Sequence, residues 1–325
     1  MKLPRREFLH LAAGLAAVPA VTHMARAQAY PTRPVRVIVP FPPGGATDIF
    51  ARLAAQKLTE HFGKQFYIEN IPGATGNVGT AQAARAAPDG HTLLIAFSSY
   101  VVNPTLFAKL PFDPKDLAPV TLAVAATNVI TVNPSLPARN LKELVALIKS
   151  NPGKYSFASG GVGTQPHLLG EMLRQSLALD LVHVPFNGAG PAIASAVAGH
   201  TPIAWSTLAS AAQPLETGQL RALAVTSKTR SQLFSDIPTT AEAGYPAIQG
   251  DSWVGVLVPA GTPNEIIGAL HREIVRIIAL PDMRERLPVL GFEVVGSTPE
   301  EFASRIKVEI ETWGHVIRAA GIKAE

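Results

Sequence analysis

From residue 35 onward the chain alternates short β-branched runs with Gly- or Pro-rich turns and amphipathic stretches. Val35, Val37, Ile38 and Val39 make a compact apolar run, the pattern of a strand covered on both faces. Pro42 and Pro43 stop it, Gly44 and Gly45 let the backbone turn sharply, and a helical pattern follows from Thr47-Asp48 through Leu58. The rhythm repeats: residues 66–70 read as a strand, 72–80 as a Gly-rich turn, 81–87 as a helix, and 91–97 as a third strand ending at Ser98-Ser99-Tyr100. It returns in a second block. There the strands are 155–159, 181–185, 202–205 and 220–226, and the helices are 141–150, 166–177 and 191–198. Residues 120–133 are too long and too β-branched for one short strand and fit a crossing between two lobes, with 251–259 as the returning partner. Residues 263–280 and 299–320 carry long helical patterns that should pack on the first lobe.

The pattern predicts an α/β protein of two lobes, each a mostly parallel sheet flanked by helices, joined by two crossover strands. Residues 28–125 with 255–325 would form lobe 1, and 126–254 lobe 2. Hinge closure about the two crossings is the motion this architecture permits.

The 325 residues include no cysteine, which excludes thiol catalysis and Cys-ligated zinc. The first 27 residues read as an export signal: Lys2, Arg5 and Arg6, then an apolar run over 9–21, then Ala25-Arg26-Ala27 as a small-x-small cleavage site. Arg5-Arg6-Glu7-Phe8-Leu9 has the look of a twin-arginine signal, so the expected location is the periplasm, with cleavage near Ala27. The apolar run falls short of the ~20 residues a membrane span needs. Lys2, Arg5, Arg6 and Arg26 against Glu7 give this segment +3 of the chain's +4, leaving the remainder near +1. No basic patch with interleaved aromatics is visible, so nucleic acid is not an expected partner.

The candidate chemistry lies in the turns. A strand that ends in a Gly turn and opens a helix points unpaired N–H groups at one place, which favours an anion. Three such turns follow consecutive strands, and ligands gather at the C-terminal ends of strands in open α/β sheets. Gly73, Gly76 and Gly79 do not make the GxGxxG dinucleotide fingerprint, and no acidic ribose partner follows them. The nine histidines show no HxxxH or HxH spacing, so neither a metal nor a cofactor is expected. Ser159 is not in a GxSxG elbow. A Ser159/His167 hydrolase is the enzyme alternative, without an identifiable third group, and Asp48 at a helix start reads as a brace for its loop rather than an acid.

Eight segments in order then resemble one family. They are Pro-Phe-Pro-Pro-Gly-Gly-Ala-Thr-Asp (40–48), Pro-Gly-Ala-Thr-Gly-Asn-Val-Gly (72–79), Pro-Asp-Gly-His-Thr-Leu-Leu (88–94) and Ser-Gly-Gly-Val-Gly-Thr-Gln-Pro-His-Leu (159–168). Val-Pro-Phe-Asn-Gly-Ala-Gly-Pro-Ala (184–192), Leu-Arg-Ala-Leu-Ala-Val-Thr (220–226), Pro-Thr-Thr-Ala-Glu-Ala-Gly-Tyr-Pro (238–246) and Pro-Ala-Gly-Thr-Pro (259–263) complete the set. Together they resemble the Bug proteins, periplasmic solute receptors of tripartite tricarboxylate transporters. The resemblance implies a type II-like periplasmic-binding-protein fold, a monomer, no catalysis, and a cleft that closes on a small carboxylate for delivery to membrane transporter subunits. A ligand-sensing partner in a signalling system is the other role the resemblance leaves open. By position it implies ligand contacts from Phe41, Gly44, Gly45, Ala46, Thr47, Asp48, Gly76, Asn77, Ser98 and Ser99 in lobe 1. From lobe 2 it implies Gly163, Thr164, Gln165, His167, Phe186, Asn187, Trp205 and Ser206. Many relatives carry a Phe-Asp pair where this chain has Trp205-Ser206. The missing acid argues against an amino-acid ligand and for a plain aliphatic or aromatic carboxylic acid, with Trp205 or Phe186 flanking its apolar body.

Overall fold

The computed structural model describes residues 30–232 and 234–322; the segment read as an export signal, with its cleavage site, lies outside them. The first sheet takes β1 (Val35–Val39), β2 (Phe66–Asn70), β3 (Thr92–Phe97), β4 (Leu117–Ala126), β10 (Ser252–Pro259) and β11 (Phe292–Val294), in the order β11-β4-β10-β3-β1-β2. The second takes β5 (Asn128–Val132), β6 (Tyr155–Ser159), β7 (Leu181–Pro185), β8 (Ile203–Thr207) and β9 (Arg221–Val225), in the order β7-β6-β8-β5-β9. Helices α1 (Ala46–Phe62), α2 (Asn77–Ala84) and α3 (Ser99–Leu106) follow the first three strands. In the second lobe α4 (Leu141–Lys149), α5 (Gln165–Ser176), α6 (Ala189–Val197) and α7 (Leu208–Glu216) flank the sheet. The C-terminal α8 (Asn264–Ile278), α9 (Pro281–Val289) and α10 (Pro299–Ala320) return to the first sheet, α8 and α10 both packing on β4.

Each sheet is covered on both faces, which is why its strands read as unbroken apolar runs. Along β1, Val35, Val37 and Val39 join the core under α1 and α8, while Ile38 turns to the opposite core under α3 and α10. Along β10 the same alternation sends Val254, Val256 and Val258 one way and Trp253 and Leu257 the other. Gly255 lets the Phe302 ring of α10 come close against the sheet, because a Cβ there would stand 2.3 Å from it. Helix α10 itself is fixed at its start by Thr298, which accepts from the Glu301 N–H while the Glu301 carboxylate accepts from the Thr298 N–H.

The two-lobed α/β class agrees with the sequence reading, but the sheets are mixed rather than mostly parallel. β1 pairs parallel with β2 and β3, and β6 with β7 and β8. β10 is antiparallel to β3 and β4, β11 to β4, and β5 to β8 and β9. The reason is the crossing itself: strands that enter a lobe from its neighbour run against the βα units already there. The chain passes between sheets at Thr127 and returns between Val225 and Ser252. A polar knot ties the two passages. Asn128 Nδ2 donates to Gly250 O at 3.0 Å, Ser252 Oγ to Asn128 Oδ1 at 2.8 Å, and Thr226 Oγ1 to Gly250 O at 2.7 Å. Among the described residues no helix is long and apolar enough to cross a membrane.

Candidate functional site

Six helices open at the cleft between the lobes: α1, α2 and α3 from the first, α5, α6 and α7 from the second. Their N-caps are Gly45, Gly76, Ser98, Thr164, Gly188 and Thr207, and none makes a side-chain cap hydrogen bond. Of the four helices away from the cleft, α4 and α10 are capped by a side chain, Asn140 accepting from Glu143 N–H and Thr298 from Glu301 N–H, while α8 and α9 start after Pro263 and Leu280 without one. An N-terminus without a cap leaves N–H donors and the positive end of the helix dipole for something else.

The inner part of the cleft is narrow, with a cavity volume of about 30 Å³. Gly45, Ala46 and Thr47 of the α1 start face Thr164 and Pro166 at the α5 start, Ala189 at the α6 start, and Ser206-Thr207 ahead of α7. Phe41 and Phe97, edge to face with centroids 5.8 Å apart, form the apolar wall. The outer part, about 270 Å³, lies between residues 72–76 and residues 160–162 and 185–187, with Phe41, Phe107 and Phe186 on its surface. A small side recess of about 10 Å³ beside Phe41 is lined by Thr75, Gly76, Ser99 and Asn103. Among the described residues no charged side chain lines any of the three.

Of the residues anticipated from sequence, Phe41, Gly45, Ala46, Thr47, Gly76, Ser99, Thr164, Phe186, Asn187 and Ser206 do come together here. Others stand behind the surface. Asp48 is buried and fully engaged, accepting from Gly44 N–H at 3.1 Å, Arg52 Nε at 3.0 Å and Nη2 at 2.9 Å, and Asn70 Nδ2 at 2.9 Å. Burial pushes its carboxyl up, and the hydrogen bonds from Arg52, Asn70 and Gly44 more than reverse this, holding it below the usual range. Asp48 thus braces the turn that Gly44, at φ +87°, makes possible. Asn77 is buried against Asn103, its Oδ1 accepting at 2.7 Å. Ser98 is buried with its hydroxyl unpaired. Gly163 packs against Leu106 of the other lobe, where a Cβ would approach to 2.3 Å, and Gln165 stands by Gly250 at the crossing. Trp205 does not flank the cleft. It is packed in the second lobe's core beside Ile203, because alternation along β8 turns Ser206, not Trp205, toward the opening.

His167 also faces inward. Its Nδ1 accepts from Gly163 N–H at 3.0 Å, which places the ring proton on Nε2, and its ring stacks on His183 at 4.0 Å. Burial, with His183 and Arg174 nearby, holds His167 down to about 3; burial alone holds His183 at about 4. Both are neutral props of the 160–164 loop. Ser159 Oγ lies 2.7 Å from His183 Nε2, so its imidazole neighbour is not His167; Ser159 is fully buried and His183 half-buried. Sequence reasoning had no route to His183: its place beside Ser159 follows from the β6–β7 register, which sets Phe157 opposite it. Thr207, Phe97 and Thr75 were also missed, although Thr75 sits between two glycines of a turn already singled out. Among the described residues no cluster of metal-ligating side chains occurs.

Residues 50–322 match the family described as "Tripartite tricarboxylate transporter family receptor". Three solved structures align over nearly the whole chain. The periplasmic binding protein BugD is 32% identical, with 91% of this chain and 100% of that one covered and a TM-score of 0.87. Rpa4515 of R. palustris, solved with adipate, is 31% identical, with 90% and 99% covered and a TM-score of 0.88. MatC of Rhodopseudomonas palustris, solved with bound malate, is 31% identical, with 89% and 100% covered and a TM-score of 0.83.

Proposed function

The chain belongs to the tripartite tricarboxylate transporter receptor family, and from that premise we propose that its cleft captures a small carboxylate of uncharged body and hands it to membrane transporter subunits. The observation that carries the reading is the inner cleft. Four helix N-termini without side-chain caps, one from the first lobe and three from the second, border one space lined by no charged side chain among the described residues. Backbone donors and dipoles hold an anion without a permanent counter-ion. Such a cage also releases its ligand, as a receptor must.

Two features narrow the ligand. Asp48, in the first turn of α1, is spent on Arg52 and Asn70, so its carboxylate is not free to meet an ammonium group. Phe41 and Phe97 offer an apolar wall to a hydrocarbon chain. Short aliphatic dicarboxylates such as adipate, the ligand of a 31%-identical relative, fit both. Ligand contacts are assigned to the lining residues from Phe41 through Ser206, with Asp48, His167 and Asn77 acting from behind them. Lobe 1 is taken as residues 28–125 with 255–325 and lobe 2 as 126–254. The working form is a periplasmic monomer, released by twin-arginine export with cleavage near Ala27.

Calorimetric titration and thermal shift of residues 28–325, refolded to strip carried ligand, test the reading. The panel is adipate, malate, succinate, citrate, benzoate, aspartate and glutamate. A cognate carboxylate at 100 times its Kd should add about 2.7 kcal/mol of stability, bind 1:1 and be recovered unchanged. Tighter binding of aspartate or glutamate than of every plain acid would sink the ligand class, and turnover would sink the receptor.

A further inference from the structure

Thr75 holds a backbone conformation that suits glycine. Its φ is +53° and ψ +41°, and Ala74 before it has φ +46°. A β-branched residue in this region is a genuine outlier, and such strain gathers at ligand clamps. Gly73 and Gly76, on either side, take their positive φ freely. A glycine at 75 would satisfy the turn, so the side chain present there contributes something a glycine lacks.

That contribution is on the page. Thr75 Oγ1 donates to Val162 O across the mouth of the cleft at 2.9 Å. The Thr75 carbonyl is held from its own lobe, accepting from Asn103 Nδ2 at 3.1 Å and Ser99 Oγ at 3.4 Å. Asn103 in turn donates to Asn77 Oδ1 at 2.7 Å at the start of α2. On the far wall Gly161, at φ +133°, comes so close that a Cβ there would lie 3.3 Å from the same hydroxyl. One strained residue is thus anchored by its backbone to the first lobe and by its hydroxyl to the second.

We propose that Thr75 is a positioning residue for ligand capture, a latch whose hydroxyl sets how firmly the two lobes stay closed and therefore how tightly the carboxylate is held. The proposal rests on the reading that the cleft closes on a carboxylate. The bond to Val162 exists only when the walls meet, so it adds to the closed state and not to the open one. A group that favours one of two states raises apparent affinity by the same factor as it shifts the population.

The test compares the wild type with Thr75→Ser, Thr75→Ala and Thr75→Gly. Adipate binding is measured by titration, and lobe separation by single-molecule fluorescence. The chain has no cysteine, so dyes can be placed uniquely through Gln56→Cys on α1 and Lys149→Cys on α4. The Ala and Gly variants should lose about fivefold in adipate affinity, the factor expected from one net hydrogen bond, while Ser stays within about twofold of wild type. Gly is the decisive variant: it relieves the backbone and removes the hydroxyl. Wild-type or tighter affinity in Thr75→Gly would overturn the latch and leave Thr75 a loop residue. If adipate binds none of the four, the ligand reading has failed, and the dye distances without ligand decide the latch. Loss of the closed population in Ala and Gly alone supports it; identical distributions overturn it.

Discussion

Pro42 of the first lobe and Gly188 of the second touch so closely that a Cβ on Gly188 would stand 2.7 Å from Pro42 Cδ. The glycine, at φ +122°, is both the N-cap of α6 and the surface on which the opposite wall rests. Gly188→Ala should therefore act as a wedge. Adipate affinity should fall more than about tenfold, since a contact under 3 Å forces the walls apart and α6 loses its place in the cage. Small-angle scattering with saturating ligand should show a molecule that does not compact. Normal affinity together with normal compaction would refute the wedge.

Asp48 should matter to stability through the turn it braces. Its carboxyl is held low, so its contribution is fully present above the unfolded pKa near 4 and is lost as pH falls through the lower folded value. Asp48→Asn should cost about 1–3 kcal/mol at pH 7, discounted because the Arg52 partner is half exposed. The penalty, read from urea unfolding, should shrink toward pH 3. An equal penalty at both pH values would mean that shape, not charge, is what Asp48 supplies.

The stacked histidines make the opposite prediction to a pH-sensing site. Both are neutral when folded, whereas the unfolded chain protonates them near pH 6.5. Stability is complete above that pH and falls as the solution is acidified toward pH 4. Between pH 6.5 and 5 each should contribute a loss of about 2 kcal/mol. His183→Gln should flatten the curve relative to wild type, and adipate affinity should stay level from pH 6 to 8. A wild-type slope no steeper than the variant's would contradict the neutral pair.

Asp251, at the return crossing, carries the reverse sign. Its Oδ1 is buried without a partner. Burial and the nearby Glu293 raise it to about 6, with Arg305 and Lys228 only partly offsetting them. The folded protein holds a proton there that the unfolded chain has lost, so stability declines as pH rises from about 4 to 6 and stays lower above. Asp251→Asn should gain about 2 kcal/mol at pH 8 and nothing at pH 4. Melting temperatures of the two proteins at those pH values are the measurement; a gain equal at both would rule out titration as the cause.

Most of the site was legible because glycine announces backbone geometry. The turns at 44–45 and 73–76 could be read as anion cradles before any coordinates, and both border the cleft; the turn at 160–163 entered only through the family resemblance. Side-chain direction could not be read. β8 is buried on both faces, so no polar alternation tells whether Trp205 or Ser206 faces the opening. The mixed pairing of each sheet was hidden for a related reason: a crossing strand covered on both sides looks the same whichever way its neighbours run. Thr75 lay within a glycine turn already singled out, but its own conformation left no mark in the sequence, since a threonine in a glycine's conformation is betrayed only by its dihedral angles.

The absence of a charged group from the cleft wall has an electrophoretic consequence. An anion held by neutral peptide dipoles keeps its charge, and the complex carries it. With the first 27 residues removed the chain sits near +1, so a captured dianion would take the molecule through zero to about −1. Loaded and empty receptors would then migrate in opposite directions near neutral pH. A docking partner could tell them apart by the sign of their net field as well as by their shape.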